Sequence, residues 1–211
     1  MKIEMKKFIT GPLENNTYLI KNGEDIESKD VILIDPSSGC SEIIKYIKSE
    51  DLNLIAVILT HGHFDHFIGL REIIEAFGDI EVFANSLTVP FLRNPLYNGS
   101  SMIGATLSYD GEITEFNEGE LKISEFKFKV LHIPGHSPGG SAFVFDGICF
   151  SGDSLFAGSV GRTDFQGCDA VALIKNIKEK LLTLPEDTVV CSGHGGRTTI
   201  GREIRRNPFL R

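Results

Sequence analysis

The sequence predicts a mixed α/β chain in which two sheets lie face to face with helices on their outer sides. Three observations carry that prediction. Apolar strand-like runs are interleaved with amphipathic helical segments in both halves; the stretch from residue 113 to residue 151 is nearly all strand; and several polar residues set among glycines follow directly on apolar strands. Two mixed sheets packed on each other with helices outside bury both kinds of apolar surface. The 211 residues show no low-complexity tract, charge block or tandem repeat that would mark a linker, so one domain over residues 1–211 is expected.

The elements read in order. Ile3 to Ile9 and Thr17 to Lys21 alternate as strands joined through Gly11, Pro12, Asn15 and Asn16, a turn-rich connection. Val31 to Ile34 is a third apolar strand, stopped by Asp35-Pro36. Ile43, Ile44 and Ile47 recur on one helical face, with Ser41 as the expected N-cap. Leu54 to Leu59 is a continuous apolar run with β-branched residues, the pattern of a strand buried on both faces. Phe67 to Phe77 reads as a helix ending at Gly78, and Ile80 to Ala84 as strand; Asn85 to Asp110 should be a short helix and a long loop. Five strands follow: Ile113 to Phe116, Leu121 to Ile123, Phe126 to His132, Ser141 to Phe145 and Ile148 to Ser151. Asp169 should cap a helix whose apolar face is Val171, Ile174, Ile177 and Leu181, before a strand at Thr188 to Cys191 and a last short helix near Thr199 to Arg206.

Composition excludes several classes of function. The formal charge is −8, and the 21 basic residues never gather into a run, so binding to a nucleic-acid backbone by counterion release is not expected. No apolar stretch approaches the length of a membrane span. Met1 to Thr10 lacks the continuous apolar stretch of a secretory signal. Cys40, Cys149, Cys168 and Cys191 lie far apart without a C-x-x-C pair, which favours free thiols in a reducing cytoplasm.

Half of the six histidines fall within six residues, in Thr60-His61-Gly62-His63-Phe64-Asp65-His66. This run begins where a buried strand ends, the place where α/β sheets put their ligand crevices. His61 and His63, two apart in extended chain, project from one side and can reach one ion; Asp65 and His66 come where the chain turns and can face a second. Gly62 should permit the tight bend between them. Imidazole nitrogen with carboxylate oxygen suits zinc, with iron and manganese as competitors. His136 in Pro-Gly-His-Ser-Pro-Gly, Asp153 in Ser-Gly-Asp-Ser and His194 in Ser-Gly-His-Gly repeat the same style and can end at one sheet edge. Taken alone, Asp153 reads equally well as a turn residue, and His132, in an alternating strand, as a packed histidine.

This arrangement resembles the metallo-β-lactamase superfamily. His61-x-His63-x-Asp65-His66 followed by His136, Asp153 and His194 matches its dinuclear ligand set in order and approximate spacing. Within it the chain is most similar to short glyoxalase II-like hydrolases, through Asn15-Asn16-Thr17-Tyr18, Pro134 to Gly139, Gly152 to Phe156, Gly161 to Phe165, and Gly193-His194-Gly195 with Asn207-Pro208-Phe209. The resemblance implies a four-layer αββα sandwich with the site along one sheet edge. It implies one metal ion on His61, His63 and His136 and another on Asp65, His66 and His194, with Asp153 bridging and Asp65 orienting a metal-bound hydroxide. It also implies a small-molecule thioester such as S-lactoylglutathione as substrate, attacked at the carbonyl.

Only 17 residues follow His194, so the C-terminal helical domain that helps hold glutathione in the full-length enzymes is not expected. A substitute pocket should come from the Asn15 to Thr17 turn with Asn16, the loop around Pro95 to Gly104 with Tyr97, and Arg162, which either pairs with a substrate carboxylate or braces the metal loop. Gly161 to Gln166 also resembles the corresponding stretch of persulfide dioxygenases, which work with a single iron and oxygen; that activity, and hydrolysis of another ester or a lactone, are the alternatives. A β-lactamase is disfavoured by the missing export signal, and nucleic-acid-processing members carry a large extra domain. A metal-stabilised binding module without turnover fits less well, because structural zinc sites are closed to water.

Overall fold

In the computed structural model, which describes residues 1–25, 27–78 and 80–211, the chain opens with an antiparallel ribbon of β1 (Ile3–Thr10) and β2 (Asn15–Asn22). β3 (Asp30–Ile34) leads to helix α1 (Ser41–Ser49), β4 (Asn53–Ile58), helix α2 (Leu70–Phe77) and β5 (Glu81–Asn85). The short helix α3 (Val89–Arg93) and a long loop precede β6 (Thr114–Phe116). These strands form one sheet in the order β1-β2-β3-β4-β5-β6, parallel from β3 onward.

The second half contributes β7 (Gly119–Ile123), β8 (Phe126–His132), β9 (Ser141–Phe145) and β10 (Ile148–Gly152). A small ribbon of β11 (Leu155–Phe156) and β12 (Ser159–Val160) precedes helix α4 (Ala170–Asn176), which runs on into one π-helical turn, Ile177–Leu181. β13 (Val189–Ser192), β14 (Thr198–Thr199) and helix α5 (Ile200–Arg206) complete it. The second sheet has the order β14-β13-β10-β9-β8-β7.

Strand alternation explains the layers. On β3, Ile32 and Ile34 face inward with Tyr18, Ala56, Ile58 and Phe83, against Phe126, Phe128, Val130, Phe143, Phe145 and Phe150 of the second sheet. Val31 and Leu33 point the other way, under Ile43 and Ile47 of α1 and Leu70 and Ile73 of α2. On the far side Leu131, Ala142, Cys149 and Val190 take Leu173, Ile177, Leu181 and Ile200. The expected four-layer αββα sandwich is the one formed.

Local signals behave largely as read. Asp169 caps α4, its side chain accepting from the Ala172 amide at 2.9 Å. Two details differ. Ser41 is the first residue of α1, whose cap position is Cys40 without a side-chain bond. The buried face of α4 and its π turn is Leu173, Ile177 and Leu181, while Val171 is 80% exposed. The Asp169 cap and the close seat of Leu173 on Gly135, where a Cβ would come within 2.4 Å, fix which side turns inward.

All four cysteines are free. Burial pushes the Cys40 thiol up to about 12 and Cys191 up to about 11, so both act as small apolar side chains. Among the described residues no helix is long and apolar enough to cross a membrane.

The inter-sheet aromatic cluster generates a stability prediction. Phe143 is fully buried, with Phe116 and Phe128 each packed edge-on at 5.7 Å between ring centroids. Phe143→Ala should cost about 3–5 kcal/mol in urea unfolding with the fold retained; a loss below about 1 kcal/mol would show that this cluster does not hold the sheets together.

Candidate metal centre

Strand direction brings the chemistry to one edge. β3 and β4 are parallel and end at Asp35 and Thr60; β2, antiparallel to β3, begins there with Asn15. In the second sheet β10 and β13 run parallel and end at Asp153 and His194, and β8, two antiparallel steps from β10, ends toward His136. Backbone bonds sew the two edges together: Ser141 donates to the Thr60 carbonyl at 2.9 Å and Asn16 to the Gly193 carbonyl at 2.7 Å.

His61, His63 and His136 converge with their ring nitrogens. His136 Nε2 lies 2.9 Å from His63 Nδ1 and 3.2 Å from His61 Nε2. A second group gathers Asp65, His66 and His194: Asp65 Oδ2 is 3.3 Å from His194 Nε2 and 3.5 Å from His66 Nε2. Asp153 stands between them, with Oδ1 3.5 Å from His66 Nε2 and Oδ2 3.5 Å from His194 Nε2 and 3.7 Å from His136 Nε2. All seven residues predicted as ligands therefore meet at one place.

The outer nitrogen of four of these rings is already used. The Thr60 hydroxyl donates to Asp35 Oδ2 at 2.6 Å, which leaves its oxygen to accept from His61 Nδ1 at 3.1 Å. His136 Nδ1 donates to the Arg162 carbonyl at 2.8 Å, His66 Nδ1 to Asp35 Oδ2 at 2.9 Å, and His194 Nδ1 to the Leu13 carbonyl at 2.9 Å. Each bond fixes the ring's orientation and turns Nε2 inward.

Inside the cluster, His66 Nε2 and Asp153 Oδ1 are buried without a hydrogen-bond partner among the described residues. The Nε2 acceptors of His61 and His136 face each other at 3.2 Å. Converging lone pairs and unpartnered polar atoms are costly in the interior, and divalent cations supply what this donor set lacks. The residues fit such ions.

Electrostatics divides the cluster. Burial, reinforced by neighbouring imidazoles, lowers His61 and takes His63 down to about 3. Burial likewise lowers His136. For His66 burial works downward too, but Asp153, Asp65 and Asp35 together outweigh it and raise the group. His194 is raised against its burial by Asp65 and Asp153. Burial would raise Asp65, yet His66 and His194 hold it well below the usual carboxylate range.

Asp35 is the functional residue that reading the sequence missed. It is buried, with a backbone φ of 50° that a non-glycine residue rarely adopts, and its carboxylate accepts from the Thr60 amide, the Thr60 hydroxyl and His66. The signal was an acid at the end of a wholly apolar strand. Gly62 serves differently from expectation: a Cβ there would lie 2.6 Å from Phe91 Cβ, so it permits close approach of α3. Gly193 has a parallel role, since a Cβ would stand 2.1 Å from Asp153 Oδ1.

The residues expected to meet substrate are placed less uniformly. Tyr97 is partly exposed and leans on Phe91, with ring centroids 5.7 Å apart. The Arg162 side chain bonds Asp164 through two nitrogens at 2.7 Å each and stacks over Phe165, whose ring lies 5.3 Å from His63. Asn16 is buried, and its side-chain amide donates to the carbonyls of Ser192 and Gly195. His132, read as a packed histidine, bonds the Pro138 carbonyl through Nε2 at 2.8 Å and so steadies the His136 loop.

A two-sheet sandwich with inward-facing imidazoles and carboxylates at one edge defines a class of metal-dependent hydrolases. The family model of the metallo-beta-lactamase superfamily matches residues 10–194, and the chain belongs to that superfamily. It is similar to the hydroxyacylglutathione hydrolase GloC of Haemophilus influenzae, 40% identical over 190 residues covering 87% of this chain and 89% of that one. Among solved structures it is similar to the BLEG-1 B3 metallo-beta-lactamase, with a TM-score of 0.91 at 38% identity over 98% of this chain and 99% of that one. It is also similar to TTHA1623 in a di-iron-bound form, with a TM-score of 0.85 at 37% identity over 97% and 100%.

Two predictions follow from this geometry. Asp35→Asn replaces an acceptor facing His66 Nδ1 with a donor and should weaken metal binding about 10–100-fold, measured against a chromophoric chelator; unchanged affinity would remove Asp35 from the centre. In the metal-free protein His66 is raised above its ordinary 6.5 and keeps its proton near neutrality, so a metal ion must displace it, whereas His61, His63 and His136 are already neutral. Lowering the pH from about 8 to about 6.5 should thus weaken binding at the Asp65 group more than at the three-histidine group in calorimetric titrations. Equal weakening of both steps would contradict that assignment.

Proposed function

We propose that this protein is a hydrolase with two divalent metal ions, zinc foremost, that cleaves small thioesters of the S-acylglutathione type. The observation that supports this reading most directly is the convergence of His61 Nε2, His63 Nδ1 and His136 Nε2 beside Asp65, His66 and His194, with Asp153 reaching both groups. The similarity to a hydroxyacylglutathione hydrolase supports the choice of thioester. Two bound divalent ions would lower the pKa of water toward 7 and polarise the carbonyl under attack.

The chain's own residues supply the rest. His61, His63 and His136 would hold one ion and Asp65, His66 and His194 the other, with the Asp153 carboxylate within reach of both groups. Asp65 stays ionised and presents a carboxylate oxygen that accepts a hydrogen bond from the attacking water and orients it toward the carbonyl. Phe165, stacked under Arg162, walls the mouth beside His63, and Tyr97 on Phe91 offers an aromatic edge to the acyl or thiol part of the substrate. A departing thiolate needs little acid assistance, so an arrangement built on metal-ligating imidazoles and carboxylates suits a thioester.

Hydrolysis of a β-lactam amide is the second reading, favoured by the likeness to a B3 metallo-beta-lactamase. A panel of S-lactoylglutathione, a coenzyme A thioester, a lactone and a chromogenic cephalosporin, run on metal-analysed protein, separates the readings. The thioester should turn over fastest, and Asp65→Asn should lower its kcat by about 10²–10⁴. A faster cephalosporin would replace the thioester reading with the second one. One iron per chain, with oxygen uptake on glutathione persulfide, would overturn both.

A further inference from the structure

The two groups of side chains share Asp35, which reaches His61 through Thr60 and His66 directly, but differ in their remaining supports. His61 and His136 are braced by Thr60 and by the Arg162 carbonyl. In the second group, His194 and Asp65 depend on the turn between β1 and β2. His194 Nδ1 donates to the Leu13 carbonyl at 2.9 Å, and Asn15 pairs with His194 in an isolated antiparallel bridge. The Asn16 amide donates to Gly193 O at 2.7 Å, while its side chain donates to Ser192 O and Gly195 O at 2.9 Å each, on either side of His194. Asn15 Nδ2 donates to Asp65 Oδ2 at 3.2 Å, so the same turn also holds the carboxylate of that group.

Both asparagines are buried, and neither meets solvent at the mouth. Asn15 Oδ1 has no hydrogen-bond partner among the described residues, and the side chain's bond runs from Nδ2 to Asp65. His194, with 28% of its side chain exposed, is the least enclosed member of the cluster and the one most in need of an external brace.

We propose that the β1–β2 turn, through Asn15 and Asn16, determines whether the second metal ion is retained. It is a positioning device for the Asp65–His66–His194 group that leaves the three-histidine group alone. Loosening it converts a two-ion centre into a one-ion centre without removing any ligand. This inference rests on the two-metal reading above.

The test counts ions and does not use turnover. Metal-free wild type, Asn16→Ala and Asn15→Ser are titrated with zinc and examined by native mass spectrometry, with His194→Ala as the reference for a lost second group. Wild type should bind two ions. Each asparagine variant should keep its first affinity within about twofold and lose at least about tenfold in the second. Hydrogen exchange on wild type, which needs no variant to fold, should slow at residues 11–16 and 193–195 on the second equivalent of zinc and not on the first. Two ions at wild-type affinity in both variants, equal loss of both steps, or exchange that ignores the second equivalent would overturn the role of the turn while leaving the two-metal reading in place. A wild type that binds one ion only would overturn the two-metal reading itself.

Discussion

The Asp35 carboxylate is the interaction on which the edge of this molecule depends. It sits at the end of β3, takes both the amide and the hydroxyl of Thr60 at the end of β4, and takes Nδ1 of His66 beyond it. Through Thr60 it orients His61 in one group, and directly it orients His66 in the other. A buried acid with three donors is stabilised by them, and each donor is in turn held in one orientation. The left-handed backbone at Asp35 is the local cost of aiming that carboxylate back across the strand ends.

Around that anchor the sandwich behaves as a rigid frame for a set of groups that repel or starve one another. The core between the sheets is aromatic on one side and branched aliphatic on the other, which fixes the sheets in contact. Bonds such as Ser141 to Thr60 and Asn16 to Gly193 then keep the two edges in register. This frame places the Nε2 atoms of His61 and His136 3.2 Å apart, with Asp153 Oδ2 3.7 Å from His136. Catalytic power in such a site comes from electrostatic preorganisation, with the ions and polar groups in place before the substrate arrives.

The two groups share one edge but differ in enclosure and charge. Three mutually facing imidazoles, all depressed by burial, form a neutral socket; a carboxylate with two imidazoles raised by their acidic neighbours forms a polar one. That asymmetry follows from which groups lie beside each ring, imidazoles around His61 and His63 and carboxylates around His66 and His194. The histidines of the socket lie on chain that is continuous with or packed against β4, whereas His194 reaches the edge on a glycine-flanked loop after β13.

Much of this was legible in the sequence by itself. Hydrophobic periodicity located nearly every strand and helix, because burial on one face leaves a pattern that needs no neighbour to be read. The cluster His61 to His66 declared metal chemistry through residue type and spacing, and His136, Asp153 and His194 joined it because each follows an apolar strand among glycines. What escaped was whatever depends on contacts across the chain. The short ribbons β11–β12 and β14 carry too few residues for a pattern, and the inward face of α4 is set by Gly135, far away in sequence. Asn16 reads as a polar turn residue ready for substrate, yet folding buries it against the His194 loop, and Asp35 reads as a strand stop, yet it orients His66 directly and His61 through Thr60. Residue type and spacing specify which atoms have to be brought together. Only the tertiary structure decided which second residues hold them, since a supporting hydrogen bond can come from any element that the fold places within about 3 Å, and nothing in local patterning records that choice.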